Sequence, residues 1–224
     1  MNAADVMVRH VVTVRPDDSV ADAVKLLVAN DISAVPVVDE HGGVVGVLSE
    51  SDLIHRSEIG TEKHHPWWLE AVMPASHLAG EFAKAHGRRV SEIMSTRPVT
   101  AKEDASLAEI AMLLERRRIK RVPIVRDGKL VGIVSRSNLI QALASSLAHA
   151  ESVTESDRQI RLDVLDQLGA QNWTDFGERN VIVENGVVHL WGMVNTPEER
   201  KALLALAESV PGVVSVSDEM IPGY

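Results

Sequence analysis

The 224-residue chain contains no cysteine. That excludes a disulfide scaffold, a thiolate-ligated zinc site and a cysteine nucleophile. No run of residues approaches the roughly 18 consecutive apolar positions of a membrane-spanning helix. There is no His-Glu-x-x-His, Gly-x-Ser-x-Gly, Walker or Gly-x-Gly-x-x-Gly motif, so no enzyme activity is expected. The opening MNAADVMVRHVVTV lacks a basic stretch followed by an apolar one, and a cytoplasmic protein is expected. The formal net charge of −9 argues against nucleic acid or an anionic membrane as partner. What the chain does have is 45% hydrophobic and 25% charged residues, a globular composition. At about 150 residues per domain, its length allows one or two domains, or three small ones.

An internal repeat organises the first two thirds. Val6-Met7 recurs as Ile93-Met94, Val12-Thr13 as Val99-Thr100, and Leu26-Leu27 as Leu113-Leu114. The run from Ile32 to Val38 recurs from Ile119 to Val125, and Val45–Ser49 recurs as Val131–Ser135. Each copy shares a local grammar. Ser19 and Ser106 are N-cap candidates with Asp22 and Glu109 three residues on, the capping-box spacing. An amphipathic helix follows, with Ala23, Leu26 and Leu27, or Ile110, Leu113 and Leu114, on one face. Two β-rich runs come next, 34–38 with 44–48 and 121–125 with 130–134, joined by Gly-containing turns. A second helix starts at Ser49 or Ser135. Each unit reads β-α-β-β-α.

These residues resemble the cystathionine-β-synthase (CBS) domain: the Thr-containing opening strand, the Ile-Ser-Ala-Val-Pro-Val-Val-Asp run, and Gly-Val-Leu-Ser-Glu-Ser-Asp ending in Asp52. The resemblance places CBS domains at 1–56 and 90–148, with an α/β (α+β) fold in which the two repeats pack as a pair. It implies an adenine nucleotide (AMP, ADP or ATP-like) or another adenosyl ligand, a homodimer formed through the CBS pair, and a separate, unidentified effector protein. Asp52 then takes the ribose hydroxyls, a carboxylate accepting from a cis-diol. Ser49 and Asp52 work with Val99, Ile119, Lys120 and Arg121, the basic pair facing phosphate. A second, weaker site combines Val12, Ile32, Ser33 and Ala34 with Ser135 and Asn138. It has neither the carboxylate nor the phosphate donors, so one competent site per chain is expected.

Beyond Thr154 the pattern changes. Ser156 and Asp157 are N-cap candidates for a helix carrying Ile160, Val164 and Leu168 on one face. Asn185-Gly186 sits between β-rich runs, a strong hairpin signal. Thr196-Pro197-Glu198-Glu199 opens a second helix that runs to about Ser209, and Val213–Val216 reads as a last strand. This α-β-β-α-β order, with Asn-Gly-Val-Val-His-Leu-Trp-Gly-Met-Val, resembles the BON domain and places one at 154–224. The resemblance implies an interaction or output module. In that family, binding of phospholipid or protein has been proposed, which supports an alternative reading of the chain as a stress-related scaffold without a small ligand.

The linker at 57–89 holds His64-His65-Pro66-Trp67-Trp68 and a short helix after Ser76. It is long for a connection, and such insertions are often functional or docking elements. Trp67 and Trp68 are expected to cover apolar surface. His64 and His65 are too close in sequence to suggest a metal pair by spacing alone; His55, His77 and His86 could join them in space, but neither a metal nor a required cofactor is expected. Charge is uneven. Residues 1–54 carry 3 basic and 9 acidic groups, and 155–224 carry 5 and 12, but 91–154 carry 10 and 7. Within the basic repeat, Arg116 and Arg117 suit a helix C-terminus, while strand alternation sends Lys120 and Arg121 to opposite faces unless the entry to the strand is irregular. The acidic tail makes attraction to anionic lipid unfavourable.

Overall fold

The computed structural model describes residues 1–62, 66, 73–148 and 154–223. The His64-His65 and Trp67-Trp68 pairs lie outside the described residues. In chain order the elements are α1 (Ala3–Val6), α2 (Val20–Ala29), β1 (Ala34–Val38), β2 (Val44–Ser49), α3 (Glu50–Leu53), a 3₁₀ turn at Ser57–Ile59, α4 (Ala75–His86), α5 (Val90–Ile93), β3 (Ser95–Thr96), β4 (Ala101–Lys102), α6 (Leu107–Arg116), β5 (Arg121–Arg126), β6 (Lys129–Ser135) and α7 (Arg136–Ala148). The C-terminal part adds α8 (Glu155–Gly169), a 3₁₀ turn at Glu178–Asn180, β7 (Val181–Glu184), β8 (Val187–Val194), α9 (Pro197–Glu208) and β9 (Ser215–Pro222). The fold is mixed α/β with three small sheets.

The chain separates into two compact units. One comprises Val11–Val99 with Val125–Leu130, the other Met1–His10, Thr100–Ile124 and Val131–Tyr224. In the first, the Ser19 hydroxyl accepts the Asp22 N–H at 3.1 Å and caps α2. Val20, Ala23 and Leu27 then face inward. They pack on Val35 and Val37 of β1, Leu48 of β2, and Val90 and Ile93 of α5, each such side chain contributing about 1.5–3 kcal/mol by burial. β1 and β2 are antiparallel with Ala34 opposite Ser49, and β3 extends the sheet with Thr96 opposite Gly46. The strand expected around Val12-Thr13 is only a parallel bridge at Val14. Its N–H donates to Pro36 O at 3.2 Å and its carbonyl accepts from Val38 N–H at 2.9 Å. Pro16, which has no N–H, cannot continue that ladder.

The second unit repeats the plan. Ser106 and Glu109 form a reciprocal capping box. Ile110 and Leu114 pack on Val122, Ile124 and Val134, together with Ala3, Val6 and Met7 from the chain's start. The units are therefore not the sequence repeats. The opening segment of the second repeat supplies β3 and α5 to the first repeat's sheet and core. The opening segment of the first repeat supplies Val8, whose N–H and carbonyl both bond to Ile133 of β6, at 3.0 and 2.9 Å. Glycine makes room at each exchange. A Cβ on Gly46 would lie 2.5 Å from Met94 Sδ, and one on Gly132 would lie 2.5 Å from Met7 Sδ. Both pairs were visible as recurring residues, but not their purpose.

The C-terminal module has the expected element order. Its first helix is capped by Thr154 rather than Ser156 or Asp157. Asp157 sits three residues inside and accepts the Thr154 N–H and hydroxyl, both at 2.7 Å. Its other oxygen takes the Gly186 N–H at 2.6 Å, which leaves Asp157 no freedom to cap. Asn185 and Gly186, with φ of 54° and 73°, turn β7 into β8 as a type I′ hairpin requires. Thr196 caps α9, accepting the Glu199 N–H at 3.0 Å. The last strand is Ser215–Pro222 rather than Val213–Val216, because β9 pairs in parallel with all of β8, from Val187 opposite Ser215 to Val194 opposite Pro222.

This module is docked within its unit. Ile182 joins the core of the second repeat. Arg158 Nε donates to the buried Asp5 Oδ1 at 2.5 Å. Arg161, only 3% exposed, donates to the carbonyls of Val181 at 2.8 Å, Glu178 at 3.0 Å and Met7 at 3.2 Å. Burial pulls its pKa down to about 10, partly offset by the Glu178 charge, so it stays protonated at neutral pH. The Glu178 carboxylate accepts the N–H groups of Arg9 at 2.5 Å and His10 at 3.1 Å, and pairs with the His10 ring.

Candidate functional site

Ser49 ends β2 and Asp52 lies in the first turn of α3. The Ser49 N–H donates to Asp52 Oδ2 at 3.0 Å and its hydroxyl donates to the same oxygen at 2.8 Å. Oδ1 accepts the Ser95 hydroxyl at 3.1 Å and Lys84 Nζ at 3.4 Å. The Asp52 side chain is 7% exposed and that of Lys84 49%. The carboxylate is thus both a helix cap and the anionic half of an ion pair. Ser135 and Asn138 repeat the cap without the charge: Asn138 Oδ1 accepts the Ser135 N–H at 2.8 Å and its hydroxyl at 2.7 Å.

Residues 3–58 and 90–145, half of the chain, match the family model for the CBS domain. The chain belongs to the CBS domain family. Residues 156–221 match the model for the BON domain, so two CBS domains are followed by a BON domain. The CBS domain-containing protein CBSX2 of Arabidopsis thaliana, a chloroplastic protein, is 30% identical over 147 residues, 63% of this chain and 62% of that protein. The chain thus spans less than two thirds of that relative's length. An uncharacterized protein of Methanocaldococcus jannaschii is 31% identical over 62% of this chain and 89% of its own. The crystal structure of CBSX2 in complex with AMP superposes with a TM-score of 0.56 at 30% identity, covering 64% of this chain and 97% of that one.

The other residues singled out in the CBS repeats fall into two groups. Ser49, Asp52, Val99, Val12, Ile32, Ser33 and Ala34 belong to the first compact unit, and Ile119, Lys120, Arg121, Ser135 and Asn138 to the second. Within the first, the base of the CBS hairpin brings Ser33 and Ala34 beside the start of α3. Ala34 is opposite Ser49, and Ser33 O accepts the Glu50 N–H at 3.0 Å. Val12 and Ile32 pack half-buried against the core, while Val99 is half-buried in the segment before Thr100. In the second unit, Lys120 O accepts the Arg136 N–H at 3.1 Å, the equivalent contact. Ile32 and Ile119 close their helices alike, each N–H donating 3.0 Å to Leu27 O or Leu114 O behind a left-handed residue, Asp31 or Arg118. The turn at Arg118 leaves the exposed Lys120 outside β5, which Arg121 opens. The entry to β5 is thus irregular, the case in which strand alternation does not govern the pair.

Sequence reasoning missed Lys84, Ser95 and Arg56. Arg56 is buried and bonded to Glu58 at 2.5 and 3.0 Å. Hydrogen bonds from Arg56 hold the Glu58 carboxyl down at about 2. Arg56 also donates to Lys84 O at 2.9 Å, and Ser57 donates to Ala85 O at 3.3 Å. These two residues at the end of the first repeat pin the last turn of α4, and so fix where Lys84 reaches. No local spacing signals a lysine 32 positions away. Among the described residues no three His, Asp or Glu side chains converge as a metal-binding group, and no helix is long and apolar enough to cross a membrane.

Proposed function

We propose that the chain is a non-catalytic sensor in which the CBS repeats bind one adenine nucleotide, AMP, ADP or ATP-like, and the BON domain is the output. The observation that carries this reading is the Asp52 carboxylate, held in place by its cap and charged, where the second repeat has a neutral Asn138 in the same geometry. A carboxylate accepts both hydrogen bonds of a ribose cis-diol. CBSX2, crystallised with AMP, supports the ligand class through its similarity to the CBS region. In this reading Ser49 and Asp52 take the ribose, Val99 and Ile119 flank the base, and Lys120 and Arg121 meet phosphate. The set of Val12, Ile32, Ser33, Ala34, Ser135 and Asn138 binds more weakly. Bound nucleotide shifts the chain toward whichever conformation it prefers, by its differential affinity.

The test is isothermal titration of AMP, ADP and ATP into the full chain. One binding event per chain is expected, lost in Asp52→Ala and weakened in Lys120→Ala. Affinity untouched by both substitutions overturns the assignment.

A further inference from the structure

The ribose acceptor is already in use. An ionised carboxylate offers about four acceptor positions, and Asp52 fills four: two on Oδ2 from Ser49, two on Oδ1 from Ser95 and Lys84. The Oδ2 bonds belong to the cap of α3 and are short-range. The Oδ1 bonds come from residues more than thirty positions away. A diol can enter only by displacing the second pair. Lys84 is no loose surface lysine, because its helix turn is tied down at consecutive carbonyls, Lys84 O by the buried Arg56 and Ala85 O by Ser57. We infer that Lys84 of the inter-repeat linker is a built-in competitor for the nucleoside diol, holding Asp52 Oδ1 until a ligand replaces it. This rests on the nucleotide reading above and adds a regulatory role to the linker. Anything that draws α4 away from Arg56 and Ser57 raises nucleoside affinity.

Adenosine separates this competition from phosphate contacts, since it carries the diol and no charge. Titration of adenosine and AMP into the full-length chain, Lys84→Met and Lys84→Arg is the experiment. Lys84→Met should bind adenosine about threefold to fivefold tighter, the scale of a half-exposed ion pair, with Lys84→Arg close to the parent chain. The gain should vanish for 2′,3′-dideoxyadenosine, which offers Asp52 no hydroxyl. Adenosine affinity equal or weaker in Lys84→Met, with AMP still bound, overturns the competitor role and leaves the nucleotide reading standing. An equal gain for the dideoxynucleoside overturns it as well. If neither adenosine nor AMP binds the parent chain or Lys84→Met, the nucleotide reading fails and the lysine's role falls with it.

Discussion

Two residues show how one side chain can serve two ends, and how to separate them. Asp52 caps α3 and also carries the charge assigned to ribose. Asn138 demonstrates that an amide oxygen makes the same two cap bonds. Asp52→Asn should therefore keep the fold, with stability changed by less than about 1 kcal/mol, while AMP affinity drops about tenfold or more, on the order of 1.4 kcal/mol. Chemical denaturation and calorimetry on the same preparation check both halves. A large loss of stability with unchanged affinity would make Asp52 purely structural. Arg161 is the opposite case, a buried charge whose role is cohesion. Its guanidinium answers three carbonyls from three different segments. Arg161→Met removes the charge but strands those acceptors, and a loss of about 3 kcal/mol is expected by urea unfolding.

At the scale of elements, what was legible followed from distance along the chain. Helix caps, hairpins and the Asn185-Gly186 turn depend on residues within a few positions of one another, and they were read correctly but for a two-residue shift of the α8 cap and the longer β9. The exchange of opening segments between the repeats depends on contacts such as Met7 with Gly132, and no local period reports them. Gly132→Ala puts a methyl against the Met7 sulfur and 3.1 Å from Val8 O, so it should cost about 1–3 kcal/mol as an overpacking change. Met7→Ala opens a cavity and costs stability too, but the double variant should lose less than the sum of the two single losses. Additive losses in that double variant would argue against direct contact. Asp157 makes a similar link between α8 and the β7–β8 turn. Burial pushes its pKa up, but the N–H groups of Thr154 and Gly186 more than offset this and leave it below the ordinary value of 3.8. A carboxylate depressed on folding stabilises the fold above its unfolded pKa, and that contribution drains away as pH falls through the folded one. BON-domain stability should therefore decline below about pH 4, and Asp157→Asn should flatten that part of the curve while lowering stability at pH 7. An unchanged acid slope in the variant would assign the decline to other carboxylates.

For the whole molecule, what bears on the proposed output role of the BON domain is how it is joined to the CBS repeats. The net charge of −9 conceals an acidic first repeat, a basic second one and an acidic C-terminal module, and that module is fixed by specific contacts to residues 2–10. Asp5 meets Arg158, Met7 O meets Arg161, and the Arg9 and His10 N–H groups meet Glu178. The same short segment completes the sheet of the second repeat through Val8 and fills its core through Val6 and Met7. One short segment thus belongs at once to a CBS sheet and to the BON surface, and the chain leads on from it to Val12. If nucleotide binding reaches the BON domain, this segment is one physical route, beside the packing of Ile182 in the second repeat's core. Arg158→Ala with Glu178→Ala removes side-chain contacts to the segment without touching the BON core of Ile160, Val164, Leu190 and Leu203. Hydrogen exchange should then show the Arg9 and His10 amides losing protection while Val8 and β7–β9 keep theirs. In the parent chain AMP should alter exchange in α8 and β7, and in the double variant that response should disappear although AMP still binds. A response that persists with these side-chain contacts removed would mean the coupling runs elsewhere, as through Arg161 and Met7 or through Ile182. No response in either chain would make the BON domain a docked passenger, not an output.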